Sequence, residues 1–136
     1  MRRSAACLGL VAVLAMALLA CSSKTPEVDP NIAPTNYKQE ILNTLTNSLD
    51  DPTNLRDAYI SDPVLTSTGA NQRYTVCVRF NARDASHRYT GSTDRIAYFY
   101  GGHLNQLVEA TKEQCGNAAY KPFPELEKIC LANKCS

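Results

Sequence analysis

The segment RYTVCVRFNAR, residues 73–83, alternates apolar and polar side chains along its length. A period of two places successive side chains on opposite faces of a strand, so the pattern predicts a strand that packs on one side. The inward set is Tyr74, Val76, Val78 and Phe80, and the outward set is Thr75, Cys77, Arg79 and Asn81.

A period of 3.6 residues marks the segment NYKQEILNTLTNSLDDP, which starts at Asn36. Thr35 or Asn36 can cap the first turn, and Pro52 prevents the helix from continuing past Asp51. The pattern predicts a long amphipathic helix of three to four turns whose apolar face packs on a sheet. A helix that binds a partner or a membrane surface is the alternative, but its polar face lacks an excess of Lys and Arg. The apolar face comprises Tyr37, Ile41, Leu42, Leu45 and Leu49.

Weaker patterns on both sides of the central strand complete the predicted sheet. The segment RDAYISDPVL favours a strand, but Pro63 makes it an edge strand or bends it there. RIAYFYGG predicts another strand, which ends at Gly101 and Gly102. The next segment, residues 103–110, either returns antiparallel across that turn or begins a helix. Near the C-terminus, Pro124 suits the first position of a short helix.

These elements predict the fold class α+β. We expect one long amphipathic helix on a three- to four-stranded antiparallel sheet, with a short C-terminal helix and disulfide staples. This single domain should span residues 36–136. Residues 22–35 contain three prolines and few large apolar side chains, so residues 21–35 should form a flexible tether that begins at Cys21.

The start of the chain has the pattern of a targeting segment, predicted to span residues 1–20. Arg2 and Arg3 precede the apolar stretch AACLGLVAVLAMALLA, which has 16 residues. A transmembrane helix needs about 20 apolar residues, so an uncleaved anchor is the less favoured alternative, as is simple secretion.

The four residues at the end of this stretch, Leu18, Leu19, Ala20 and Cys21, match every position of the lipobox. The segment thus resembles the signal peptide of bacterial lipoproteins. The resemblance implies cleavage before Cys21 and acylation of that cysteine, which would be the protein's contact with a lipid bilayer. Because Ser22 rather than Asp follows the cysteine, it also implies sorting to the periplasmic face of the outer membrane.

Overall composition and charge exclude some partners. The sequence is 44% hydrophobic and 20% charged, which is typical of a globular domain. Without Arg2 and Arg3 the chain keeps 12 basic and 13 acidic residues, a net charge of −1. Such a balance gives no field that would attract nucleic acid.

Four cysteines remain after the signal peptide and the lipidated residue are set aside: Cys77, Cys115, Cys130 and Cys135. In an oxidising compartment an even number favours two disulfides, with three connectivities open. We favour pairing Cys77 with Cys115 and Cys130 with Cys135. A zinc site is the alternative, but zinc favours two closely spaced pairs and only one exists here.

No segment carries a pattern typical of catalysis. His87 and His103 belong to no triad or metal-ligand spacing, and we expect solvated loop histidines. Nucleophile elbows, phosphate-binding glycine loops and zinc-protease helices are absent from the sequence. We therefore expect no enzyme, no metal and no cofactor.

The outward face of the central strand carries the strongest candidate for binding. Arg79 and Arg83 share that face, and Tyr98 and Tyr100 add aromatic surface nearby. The planar guanidinium group of Arg can donate two parallel hydrogen bonds to one carboxylate. These residues can therefore bind peptidoglycan fragments or small anions. The alternative is a solvated face on which the arginines pair locally, for example with Asp84 and Asp94.

Five segments after the tether, NYKQEIL, DPTNLRDAYIS, RYTVCVRFNARD, GGHLNQ and YKPFPELEKIC, resemble a group of small Gram-negative lipoproteins to which no activity is assigned. We therefore expect a membrane-anchored, periplasm-facing lipoprotein that acts as a non-enzymatic structural or interaction module of the cell envelope. Its partner would be an envelope protein or peptidoglycan. The alternative is a ligand-binding module that uses the Arg and Tyr face.

Overall fold

The computed structural model describes residues 25–130. The predicted signal peptide, the lipobox with Cys21, and Cys135 lie outside the described residues, so these expectations stay predictions.

The fold class α+β is confirmed, with an antiparallel sheet of six strands rather than the expected three or four. The strand order is β5-β4-β3-β1-β6, and β2 pairs with the part of β3 that β1 leaves free. The elements in chain order are α1 (Tyr37–Ser48), β1 (Asp51–Ile60), β2 (Val64–Thr68), β3 (Asn71–Arg83), β4 (Tyr89–Tyr100), β5 (His103–Glu109), α2 (Lys112–Cys115), β6 (Lys121–Pro122) and α3 (Pro124–Glu127).

The expectation of one long helix is wrong: the 12 residues of α1 make just over three turns, the lower end of the predicted range and an ordinary length for a helix, and α2 and α3 have four residues each. α1 ends at Ser48 because Leu49 is already extended, with ψ at 145°. Asp51 then pairs with Arg83 of β3, so the residues expected to finish the helix begin β1 instead. Pro63 interrupts the next stretch as predicted, and it separates β1 from β2.

One face of the sheet packs against α1 and α3 and forms the main core. Val76, Val78 and Phe80 of β3 are fully buried there, as the alternation predicts. Each large side chain of this kind stabilises the fold by about 1.5–3 kcal/mol when it leaves water. The helices contribute Ile41, Leu45 and Leu126, and Phe123 beside α3 is equally buried.

The second face of the sheet is covered in part, which the prediction of a one-sided strand missed. Cys77 on this face is disulfide-bonded to Cys115 at the end of α2, with 5.8 Å between their Cα atoms. The predicted pairing of these two cysteines is therefore confirmed. Cys130 is disulfide-bonded as well.

The β4–β5 connection settles the segment that the sequence left open. Gly101 and Gly102 have φ values of +57° and +82°, the positive values that the two central residues of a tight hairpin turn adopt, and Tyr100 pairs with His103 across it. Residues 103–109 therefore form a strand. We call this end of the sheet, with the β2–β3 turn, the glycine end, and the opposite end, with Asp51 and the loop 84–88, the aspartate end.

Candidate functional site

Arg79, the first predicted binding residue, already forms an ion pair with another residue of the protein. Its Nε and Nη2 donate to the two carboxylate oxygens of Asp94 at 2.7 and 2.9 Å, and its guanidinium stacks on Tyr120 at 4.5 Å. The two hydrogen bonds from Arg79 hold the pKa of Asp94 below its usual range, and burial raises the pKa of Tyr120. The local pairing with Asp94 is thus present, and Arg79 offers no uncompensated charge.

Arg83 belongs to a second ionic cluster at the aspartate end of the sheet. Its Nη2 lies 2.8 Å from Asp51 Oδ2, and His87 Nδ1 donates to the same oxygen at 3.0 Å. Thr53 donates to Oδ1 through its hydroxyl at 2.6 Å and its amide at 3.0 Å. These hydrogen bonds, that of the Thr53 hydroxyl first, hold the pKa of Asp51 well below its usual range.

His87 owes its position to the loop that joins β3 and β4. Asp84 Oδ1 accepts hydrogen bonds from the amides of Ser86 and Arg88, and Arg88 Nη2 lies 3.6 Å from Asp84 Oδ2. This closed loop gives His87 a φ of +60°, in the left-handed region that few side chains adopt. The ring therefore reaches Asp51 with Nδ1, although 73% of the side chain is exposed. The expected solvated loop histidine has a carboxylate partner.

Backbone strain concentrates near this aspartate end. Asn54 and Asp57 of β1 also have positive φ values, of 54° and 53°, and the register of β1 against β3 shifts there. Tyr89 donates its hydroxyl to the Asn54 carbonyl at 2.7 Å, and Arg56 stacks on the Tyr89 ring at 4.1 Å. These contacts fix an irregular strand that propensity alone would not select.

Tyr98, the third predicted binding residue, lies against α2. Its hydroxyl accepts a hydrogen bond from Gln114 Nε2 at 2.9 Å, while Gln114 also completes a capping box with Thr111. Tyr98 therefore helps to seat α2 on the sheet beside the Cys77–Cys115 disulfide.

A cleft of about 440 Å³ opens next to this covered region, between β2 and the wall formed by α2 and residues 117–119. One side is formed by Val64, Thr66, Thr75 and Cys77 of the sheet, together with Ser61 and Asp62 from the connection between β1 and β2. The opposite wall is formed by Glu113, Gln114, Asn117, Ala118 and Ala119. The lining is mixed in polarity, as expected of a site that receives a side chain.

Tyr100, the fourth predicted binding residue, lies at the glycine end, where Arg73 stacks on its ring at 5.4 Å. The four predicted residues thus have four different partners: Asp94 for Arg79, Asp51 for Arg83, Gln114 for Tyr98 and Arg73 for Tyr100. They share one face of the sheet but form no common binding pocket.

The edge of β2 is a feature that the sequence analysis identified only in part, since Pro63 indicated an edge strand or a bend within RDAYISDPVL but not a separate strand after the proline. β2 pairs with β3 on one side, and no other strand within residues 25–130 pairs with it. Val64 and Leu65 are exposed there. The other local signal is a short uncharged stretch, VLTST, between Pro63 and Gly69, which by itself does not distinguish an exposed edge from a buried strand.

In the part of the chain that the structure describes, no three His, Cys, Asp or Glu side chains come together as metal ligands. No helix there is long and apolar enough to cross a bilayer.

Comparison with known proteins gives no assignment. No family model matches the chain, and no curated protein and no solved structure matches it either. Any function must therefore be argued from this geometry.

Proposed function

We propose that this protein is a lipid-anchored, non-enzymatic interaction module of the cell envelope. Acylated Cys21 holds it on the periplasmic face of the outer membrane, and the edge of β2 binds an extended segment of another envelope protein. The observation that carries the proposal is the outer edge of β2, which lies beside a cleft, is uncharged and pairs with no strand within residues 25–130.

The geometry of the β2–β3 hairpin supports strand addition. Thr68 pairs with Asn71 across the Gly69–Ala70 turn, and Gly69 has a φ of +65°. Hydrogen-bonded and non-hydrogen-bonded pairs alternate from such a turn, so the amides and carbonyls of Leu65 and Ser67 point to the outer side. An extended peptide can pair with these groups.

The chemistry of the edge also favours a protein partner. Soluble proteins commonly protect edge strands with charges or proline, and residues 64–68 contain neither. The opposite edge strand, β5, carries His103 and Glu109. A side chain from a strand added to β2 can enter the cleft behind Val64 and Thr66, which supplies specificity.

The internal pairing of the arginines makes the ligand-binding alternative the weaker one. Arg79 and Arg83 already satisfy Asp94 and Asp51, so an anionic ligand would have to displace a carboxylate that is well hydrogen-bonded. We therefore propose the protein partner alone.

Site-specific photo-crosslinking in the native host tests the β2 edge. A photoreactive side chain at Ser67 should give one discrete adduct, whereas the same group at the exposed Gln106 of β5 should give none. Leu65→Pro, which removes an outward amide, should abolish the Ser67 adduct while leaving the circular dichroism spectrum unchanged. Equal adducts at both positions, or binding to isolated peptidoglycan that Arg79→Ala removes, would contradict the proposal.

A further inference from the structure

The chain enters the fold at the glycine end of the sheet, where residues 28–33 lie across the β4–β5 turn. Gly101 donates its amide to the Pro30 carbonyl at 3.3 Å. A Cβ on Gly101 would come within 2.6 Å of Val28 Cγ1, and one on Gly102 within 3.1 Å of Ile32 Cγ2. The segment therefore packs closely on the turn because both turn residues are glycines.

This contact limits where a lipid anchor can lie, an argument that rests on the proposed acylation of Cys21. Six residues lie between Cys21 and Val28, and even a fully extended chain across those seven steps spans at most about 25 Å. The 12 residues of β4 place the aspartate end about 36 Å from the glycine end. The glycine end is therefore the part of the domain nearest the anchor.

The surface at the glycine end suits a bilayer interface. Val28, Ile32 and Tyr100 are 52%, 47% and 42% exposed, although they are large and apolar. Arg73 stacks on Tyr100 and has no carboxylate partner within residues 25–130, in contrast to Arg79 and Arg83. Aromatic rings and Arg side chains favour the headgroup region, where an apolar body and a polar tip are both satisfied.

A shallow cleft of about 690 Å³ opens at the same place, between residues 30–31 and the start of β3. Its lining includes the amide side chains of Asn31, Asn71 and Gln72 together with Arg73 and Tyr100. Guanidinium and amide groups donate hydrogen bonds, and phosphate oxygens accept them. The cleft thus offers donors to phospholipid headgroups at the end of the domain closest to the lipid anchor.

We propose that the docked segment 28–33 fixes the orientation of the domain on the membrane. The glycine end rests on phospholipid headgroups through Val28, Ile32, Tyr100 and Arg73, and the aspartate end, with Asp51 and His87, points away from the bilayer. The domain is thus held in one orientation rather than swinging freely on a tether.

Single-tryptophan variants of the full, lipidated chain test this orientation, because the sequence contains no Trp. Tyr100→Trp places the probe at the glycine end, and Ala85→Trp places the matched probe in the exposed loop at the aspartate end. Each protein is reconstituted in phosphatidylethanolamine and phosphatidylglycerol vesicles whose lipids carry bromine. Flotation of the vesicles reports anchoring, and loss of fluorescence reports contact with lipid.

We expect both proteins to float, and the Tyr100→Trp protein to lose fluorescence and shift its emission to shorter wavelengths. The Ala85→Trp protein should show neither change. Adding Val28→Asp to the Tyr100→Trp protein should restore its fluorescence without preventing flotation. If both proteins float and their probes are quenched equally, or not at all, the orientation is wrong. If neither floats, the proposed lipid anchor is wrong instead.

Discussion

Asp51 and His87 stand 36 positions apart in the chain, and their side chains meet at 3.0 Å, with Arg83 on the same carboxylate oxygen. The Asp51 side chain is only 8% exposed. This buried carboxylate joins the start of β1 to the end of β3 and to the loop that follows it.

Replacing Asp51 by Asn should destabilise the domain by about 3 kcal/mol, because Arg83 loses the charge that compensates its own burial. Urea unfolding followed by circular dichroism measures the change. Asp50→Asn is the matched control, since Asp50 is exposed, and it should change stability by less than about 0.5 kcal/mol. Equal effects of the two variants would show that the cluster is not a stabilising contact.

Stability should also fall on acidification. The folded state lowers the pKa of Asp51 and of Asp94 below the value of about 3.9 that an unfolded Asp has. Their contribution is fully present above that unfolded value and is lost as pH falls towards the folded values. The free energy of unfolding should therefore stay level between about pH 7 and 5 and decline below about pH 4. Asp51→Asn should reduce that decline.

The sequence predicted the elements whose side chains follow one period. The central strand, the apolar face of α1 and the strand before Gly101 all repeat a pattern that burial imposes. The predicted end of the helix and the predicted number of strands were wrong. β1 contains two residues with positive φ and a shifted register, so its sequence lacks a regular alternation.

Long-range partners were harder to predict than elements. Cys77 and Cys115 were paired correctly because only four cysteines remained to combine. Asp51 and His87 carried no such restriction, since both residue types are common at helix ends and in loops. Their contact depends on the closed loop around Asp84, which the sequence does not reveal.

Removing the Cys77–Cys115 disulfide should destabilise the domain by about 4 kcal/mol, because the bond closes a loop of 38 residues in the unfolded chain. The Cys77→Ala, Cys115→Ala double variant should therefore unfold at a lower urea concentration than the oxidised wild type. Adding a reductant to the double variant isolates the contribution of the Cys130 disulfide. An unchanged urea midpoint in the double variant would contradict the prediction.

Gly101→Ala should be more harmful than Gly69→Ala. Both residues have positive φ, so each substitution costs about 1 kcal/mol of backbone strain. A Cβ at Gly69 meets nothing within 4 Å, but one at Gly101 collides with Val28. We expect about 1 kcal/mol of additional destabilisation from that overlap, and faster proteolysis near Val28. Comparable unfolding curves for the two variants would argue against tight docking of this segment.

Glu127 of α3 should stabilise the fold more than its neighbour Glu125. Its Oε1 accepts the amide of Ala58 at 2.9 Å, where the left-handed Asp57 and the shifted register interrupt the pairing of β1 with β3. Ala58 is buried, so Glu127→Ala leaves an unsatisfied amide and should cost about 1–2 kcal/mol.

Glu125 supplies the control for this last comparison, because it lies 4.0 Å from Lys38 and both side chains are about half exposed. Such a surface pair contributes roughly 0–1 kcal/mol, so Glu125→Ala should hardly shift the urea midpoint. Glu127→Gln retains an oxygen that can accept the Ala58 amide, and it should recover part of the loss. If Glu127→Gln is as unstable as Glu127→Ala, the carboxylate charge rather than the amide contact attaches α3 to β1.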